Sequence, residues 1–227
     1  MSKNNLDQSP TEALPLSFFN GLFSNATSTY VSKTENIKLS NKLGQLHLKL
    51  FVWLLAQHSK LSCIGNLEVS TTINSILVDC AISPNSAAYE KAKKALFDLF
   101  NTTLIIDGQK YKTYVKLVSK IRIEGQKYII SLDKDVVSIF STHIKSLDCG
   151  LFLQSKTGLQ SALNGFISIN ELAFKLPLKY LYSVLQCDLD SIKSFKRALE
   201  TALIRARHSG LIQKYYFDDD GYVQIYK

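Results

Sequence analysis

Five basic residues recur at even positions along one short stretch: Lys110, Lys112, Lys116, Lys120 and Arg122. Between them Tyr111, Val115, Leu117, Ile121 and Ile123 hold odd positions. Side chains of a strand point alternately to its two faces, so the spacing predicts a strand that is apolar on one side and cationic on the other. The chemistry such a row offers is neutralisation of phosphates, which holds a polyanion in place without reading it. One or two lysines would suffice to guard an exposed strand against edge-to-edge pairing, and five exceed that need.

A second cationic set falls within 188–214. Lys193, Lys196 and Arg197 precede Arg205, Arg207 and Lys214, and Glu200 is the one acid between 191 and 214. Ile192, Phe195, Leu199, Ala202, Leu203 and Ala206 recur at helical spacing, so 188–210 predicts an amphipathic helix with the cations off its apolar stripe. Arg205 and Arg207 are explained by the negative end of the helix dipole. Lys193, Lys196 and Arg197 are not, because cations near a helix N-terminus are unfavourable unless an anion waits there. That trio, with the short polar side chains of Ser194 and Thr201, forms the candidate set for reading base edges in a major groove. Backbone candidates are Lys91, Lys93, Lys94, Lys110, Lys112, Lys116, Lys120, Arg122, Arg205, Arg207 and Lys214.

Catalytic patterns do not accompany these cations. The chain has neither G-x-x-x-x-G-K-[ST] nor G-x-G-x-x-G, and its four histidines, at 47, 58, 143 and 208, stand apart from one another and from every cysteine. The cysteines at 63, 80, 149 and 187 are isolated, which predicts reduced thiols in a cytosolic protein and no zinc site. The acidic run 217–221, FDDDG, lies between apolar-aromatic stretches and predicts a hairpin turn. The expectation is a protein that is not an enzyme and has no cofactor or metal. A net charge of +8 and a pI near 9.2 favour an acidic partner, nucleic acid before membrane. Apolar runs such as FVWLLA (51–56) are too short to span a bilayer.

The elements that must position these residues fall into two similar sets. Polar residues 1–13 read as a disordered tail, and order is expected from LPLSFFNGLFS (14–24). Residues 41–60 carry apolar positions 43, 46, 50, 53 and 54 at helical spacing. A short strand and a helix are expected over 66–82, with Thr71 or Ser70 as cap. Another helix is expected over 83–100, with Ser83 as cap, Pro84 in the first turn and Ala88, Ala92, Ala95, Leu96 and Leu99 on one face. Strands follow at 103–107, 111–123 and 127–132. The second set runs through a helix at 150–166, a helix at 167–176 capped by Asn170 and ended by Pro177, the segment LKYLYSVLQ, the basic helix and a closing hairpin. Helices followed by a hairpin, twice, predict an α+β, mainly helical chain of two tandem winged-helix (helix-turn-helix variant) domains, 14–146 and 147–227.

Several stretches resemble plasmid replication initiators (Rep proteins) built from tandem winged helices, nearest the TrfA-like group. They are LPLSFFNGLFS, LGQLHLKLFVWLLA, ALFDLFNTTLIIDG, YVKLVSKIRIEGQKYIISLDKDVVSIF and SFKRALETALIRARHSGLI. The resemblance implies a cytoplasmic bacterial DNA-binding initiator that recognises repeated origin sites (iterons) in double-stranded DNA. It further implies help in opening an adjacent AT-rich duplex, recruitment of the host initiator and replicative helicase, and a monomer–dimer equilibrium. By this analogy the C-terminal domain reads bases and the N-terminal domain grips backbone. A winged-helix transcriptional repressor is the nearest alternative, and a protein-interaction scaffold that binds no DNA is the alternative of a different class.

Overall fold

The computed structural model describes residues 29–31, 35–62, 68–108, 110–144, 149–155, 158–169, 173–185, 189 and 191–227. The expected tail, the stretch 14–24, Asn170, Cys63 and Cys187 lie outside them. The fold is α+β, with eight helices and three small antiparallel sheets among the described residues.

Strands β1 (Thr29–Val31) and β2 (Glu35–Leu39) lead into α1 (Gln45–Ser62), then β3 (Glu68–Thr72), α2 (Ile73–Asp79) and α3 (Ser86–Phe100). Four strands follow: β4 (Thr103–Gly108), β5 (Lys112–Lys116), β6 (Val118–Glu124) and β7 (Lys127–Leu132). Helices α4 (Lys134–Ile144) and α5 (Cys149–Gln154) lead to the second set. That set is α6 (Gly158–Ile169), β8 (Ala173–Pro177), α7 (Leu178–Leu185), α8 (Ile192–His208), β9 (Lys214–Phe217) and β10 (Tyr222–Tyr226).

The two sets repeat one topology. In each, a helix, a strand and two further helices precede a β-hairpin, and the first strand pairs with the hairpin's last strand. The sheet orders are β3-β7-β6 and β8-β10-β9. The first set carries an addition. Between α3 and β6 the chain inserts β4 and β5, which join β1 and β2 in a sheet of order β1-β2-β4-β5.

Helix α1 is buried on all sides through its middle: Leu48, Leu50, Phe51, Val52, Trp53, Leu54 and Leu55 are all buried. The single apolar stripe expected from its spacing is therefore too narrow. The reason is position, because α3, α4, α5 and β3 all pack on this helix, and Phe51 meets Phe140 of α4 edge to face. The apolar core runs without a break from Ile37 to Ile225.

Local signals differ from expectation at several points. The cap of α2 is Thr72, whose hydroxyl accepts from Ser75 N at 3.1 Å, and not Thr71 or Ser70. The cap of α3 is Asn85, accepting from Ala88 N at 2.9 Å, and not Ser83; Pro84 therefore precedes the helix. Residues 173–177 form a strand where a helix was expected, because β10 pairs with them from Tyr226↔Ala173 to Tyr222↔Pro177. That pairing is a tertiary contact invisible in local spacing. The helix expected over 150–166 is two helices, α5 and α6.

Candidate nucleic-acid interface

The single strand expected over 111–123 is two strands in two different sheets. β5 pairs with β4, whereas β6 pairs with β7, and the chain crosses between sheets at Leu117. Leu117 and Val118 are consecutive and both fully buried, which breaks the alternation. The Leu117 amide donates to Thr102 O at 3.2 Å and pins the crossover. Ser119 forms a bulge on β6. The five cations consequently do not share one face. Lys112 and Lys116 project from the four-stranded sheet, Lys120 and Arg122 from the three-stranded one.

Three of the five face carboxylates. Lys112 lies 3.3 Å from Asp107, Lys120 lies 3.1 Å from Glu68, and Arg122 lies 3.1 Å from Glu124. The hydrogen bond from Lys120, then its charge, holds the Glu68 carboxyl below the usual range, and Asp107 raises Lys112 by the same means. These pairs are exposed and readily exchanged for other anions. Among the described residues, Lys110 and Lys116 have no ion pair and are exposed.

Helix α8 presents the second cationic surface. Ser191 caps it, accepting from Ser194 N at 3.2 Å and donating to Ser194 Oγ at 3.0 Å. Phe195, Leu199, Ala202, Leu203 and Ala206 are buried, which turns Lys193, Ser194, Arg197, Glu200, Thr201 and Ile204 outward. Thr201 donates its hydroxyl to Arg197 O at 3.1 Å, so its proton stays in the helix while its lone pairs face out. Lys196 lies at the edge of this surface with its ammonium 5.2 Å from the Phe217 ring centroid, facing β9. Arg205, Arg207 and His208 occupy the last turn, where the dipole favours them. Two backbone bonds, Leu211 N to Ala206 O and Gly210 N to Arg207 O, with Gly210 at φ +74°, close the helix in a Schellman turn.

Spacing alone did not reveal the outer face of the β8-β10-β9 sheet. Val223 and Ile225 are buried on its inner face. The alternate residues carry a lysine–tyrosine cluster: Lys175 4.9 Å from the Tyr222 centroid, and Lys214 4.7 Å from Tyr226 and 5.8 Å from Tyr216. Asp218, at the hairpin's acidic turn, pairs with Lys175 at 2.8 Å. The signal available in the sequence was Tyr at 216, 222 and 226 in period-two strands flanking Lys214.

On α3, Lys91 and Lys94 are exposed, and Lys93 pairs with Glu90 at 3.0 Å. Among the described residues, no three His, Cys, Asp or Glu side chains converge into a metal-ligand set. Cys80 is buried and free, and desolvation pushes its thiol up to about 12. Cys149 is half-buried. Among the described residues no helix is long and apolar enough to cross a membrane.

No protein-family model matches the chain, and no curated protein matches its sequence. Solved structures do match. The crystal structure of RctB domains 2-3 (residues 155–483) superposes with a TM-score of 0.63 at 13% identity, covering 93% of this chain and 96% of that one. The fold is similar to that of RctB domains 2-3. The selenomethionine derivative of the same two RctB domains gives the same TM-score and coverage at 14% identity. At such identities the likeness to RctB is one of architecture, and side-chain roles rest on the geometry described above.

Proposed function

We propose that this chain is a non-enzymatic, DNA-binding replication initiator made of two winged helices. The observation that carries the reading is α8. It is the third helix of a helix–strand–helix–helix–hairpin unit, and its outward face holds Lys193 and Arg197 with Glu200 as the lone acid. A helix in that position of a winged helix lies in the major groove, where Arg and Lys donate to guanine O6 and N7. The fold likeness to RctB, a replication initiator with winged-helix domains, supports the same reading.

In this proposal the second unit reads bases through Lys193, Ser194, Arg197 and Thr201, with Lys196 at the boundary between helix and wing. The first unit holds backbone through Lys91, Lys94 and the exposed cations of β5 and β6. Base contacts select the repeat, phosphate contacts hold register, and strain from bent DNA favours opening nearby. The plasmid setting, the iterons, the TrfA-like grouping, the host initiator and helicase as partners, a monomer–dimer equilibrium and a bacterial cytoplasmic location belong to this proposal and rest on the sequence resemblance.

Selection from random duplexes by the full chain tests it. The expected result is an enriched site of about one to two helical turns that recurs as direct repeats near the gene. A palindromic site beside a promoter would favour a repressor. Absence of any enriched site, with binding abolished by moderate salt, would refute the base-reading role of α8.

A further inference from the structure

A chain of buried polar side chains joins the first unit to α8. Lys49 of α1 is only 8% exposed, next to the apolar run Leu50–Leu55. Its ammonium donates to Ser155 O at 2.7 Å, across 106 residues of sequence. Ser155 follows the last turn of α5, where carbonyls carry the negative end of the helix dipole and favour a cation. The Ser155 hydroxyl accepts from Asn164 Nδ2 at 2.9 Å, and Asn164 Oδ1 accepts from Gln160 Nε2 at 2.8 Å. Gln160 Nε2 also donates to Ala202 O at 3.2 Å, midway along α8. Ser155, Gln160 and Asn164 are 6%, 7% and 8% exposed.

Apolar packing holds neighbours through many weak, non-directional contacts, whereas a buried hydrogen bond has one satisfying geometry and is costly to leave unmade. An ammonium in an apolar helix has the steepest such requirement. Moving α8 along or about its axis relative to α1 would strain the Gln160–Ala202 bond or a link behind it.

We infer that Lys49, Ser155, Asn164 and Gln160 are positioning residues that fix α8 relative to the first unit, and so set the spacing of the two DNA stretches one chain engages. The spacing clause rests on the proposed function; the mechanical link does not. Each added base pair displaces the second stretch by about 3.4 Å and rotates it around the duplex, so a rigid link between units penalises insertions steeply.

The test uses the full chain and two readouts. Lys49→Met keeps the unbranched apolar stem and removes the donor, Gln160→Leu breaks the far end, and Lys49→Arg keeps a donor. Amide hydrogen exchange is followed without DNA in α8 and, as a control, in α3, which packs directly on α1. The link predicts that Lys49→Met accelerates exchange in 192–208 by about tenfold while 86–100 keeps its rate, and that Lys49→Arg restores protection. Unchanged exchange in 192–208, or equal acceleration of both helices, overturns the link. Binding is then measured on the selected duplex with one to three base pairs inserted at its centre. Lys49→Met and Gln160→Leu are expected to reduce the insertion penalty by about tenfold. An unaltered penalty overturns the spacing role even where exchange responds. Should no duplex be selected at all, the DNA reading fails while the exchange result still decides the link.

Discussion

The third helix of the first unit and the third helix of the second occupy the same place in the same topology, and their surfaces differ. On α3, Lys93 is engaged by Glu90, and an exposed Phe97 interrupts the outward face beyond Lys91 and Lys94. On α8, the outward face runs through Lys193, Arg197, Thr201 and Ile204 with one acid, and Lys196 links it to the hairpin. The first unit instead carries an additional four-stranded sheet, and three of the cations on its strands, Lys112, Lys120 and Arg122, face carboxylates of the same unit. One backbone plan thus carries two different surfaces, set apart by side-chain charge on the third helix and by the added sheet. In the proposed function, α8 discriminates between sequences while the first unit supplies exchangeable contacts to phosphate.

The largest effect should come from the shared core. Phe195 is fully buried against Tyr182, with ring centroids 5.2 Å apart, and Phe195→Ala should cost about 3–5 kcal/mol. Leu96→Ala in α3 should cost about 2–5 kcal/mol. Because the core is continuous, both losses should appear in one denaturant transition. Two separated transitions would show that the units are thermodynamically independent.

Helix ends give the next effect and sharpen the contrast. Helix α2 closes with the same Schellman bonds as α8, Ile82 N to Leu77 O and Ala81 N to Val78 O, but places Ala81 at φ +52° where α8 has Gly210. A side chain in the left-handed region costs about 1–2 kcal/mol. Gly210→Ala, which meets open space, should therefore destabilise by about 1–2 kcal/mol, and Ala81→Gly should raise the midpoint. Opposite signs are required; equal signs would refute the strain argument. At the other helix ends, Ser191→Ala and Asn85→Ala should each cost about 1 kcal/mol in thermal melts, since each removes an acceptor for a first-turn amide.

Smaller effects concern the paired cations. Lys116→Ala should lower the salt slope of DNA binding by about 1, whereas Lys112→Ala and Lys120→Ala should lower it less, because phosphate must first displace Asp107 or Glu68. Acidification should reveal the same competition. Glu68 has a folded pKa depressed below its ordinary 4.5. Its contribution to stability is complete above 4.5 and is lost as pH falls through the lower folded value. NMR titration of the Glu68 carboxyl should show that depression, and Lys120→Ala should abolish most of it.

Helix α8 was legible in the sequence as an element, because one amphipathic stripe and Gly210 agree, but its start was not: the helix begins at Ile192 behind a Ser191 cap, where 188 was expected, and Ile192 is exposed. The cationic strand was legible only in part. Alternation does predict the outward placement of Lys112, Lys116, Lys120 and Arg122, but it is blind to which sheet a strand joins. Leu117 and Val118, two consecutive buried residues, carried the one local sign of a crossover. Strand β8 was hidden for a related reason, since its partner Tyr222–Tyr226 pairs with it across 45 (Tyr222↔Pro177) to 53 (Tyr226↔Ala173) positions and local spacing around 173–177 reads as helix. The buried polar chain from Lys49 to Ala202 left no pattern at all, because its members are scattered singly among apolar residues.

The most direct test compares the two third helices in one assay. Affinities for the selected duplex and for a scrambled duplex would be measured across salt, with Lys193→Gln/Arg197→Gln in α8 against Lys91→Gln/Lys94→Gln in α3. The account predicts that the α8 pair lowers the specific-to-nonspecific ratio by at least about tenfold, while the α3 pair weakens both duplexes equally and lowers the salt slope by about 2. Equal weakening of both duplexes by the α8 pair would mean that α8 touches only phosphate, and would contradict the division of labour between the two units.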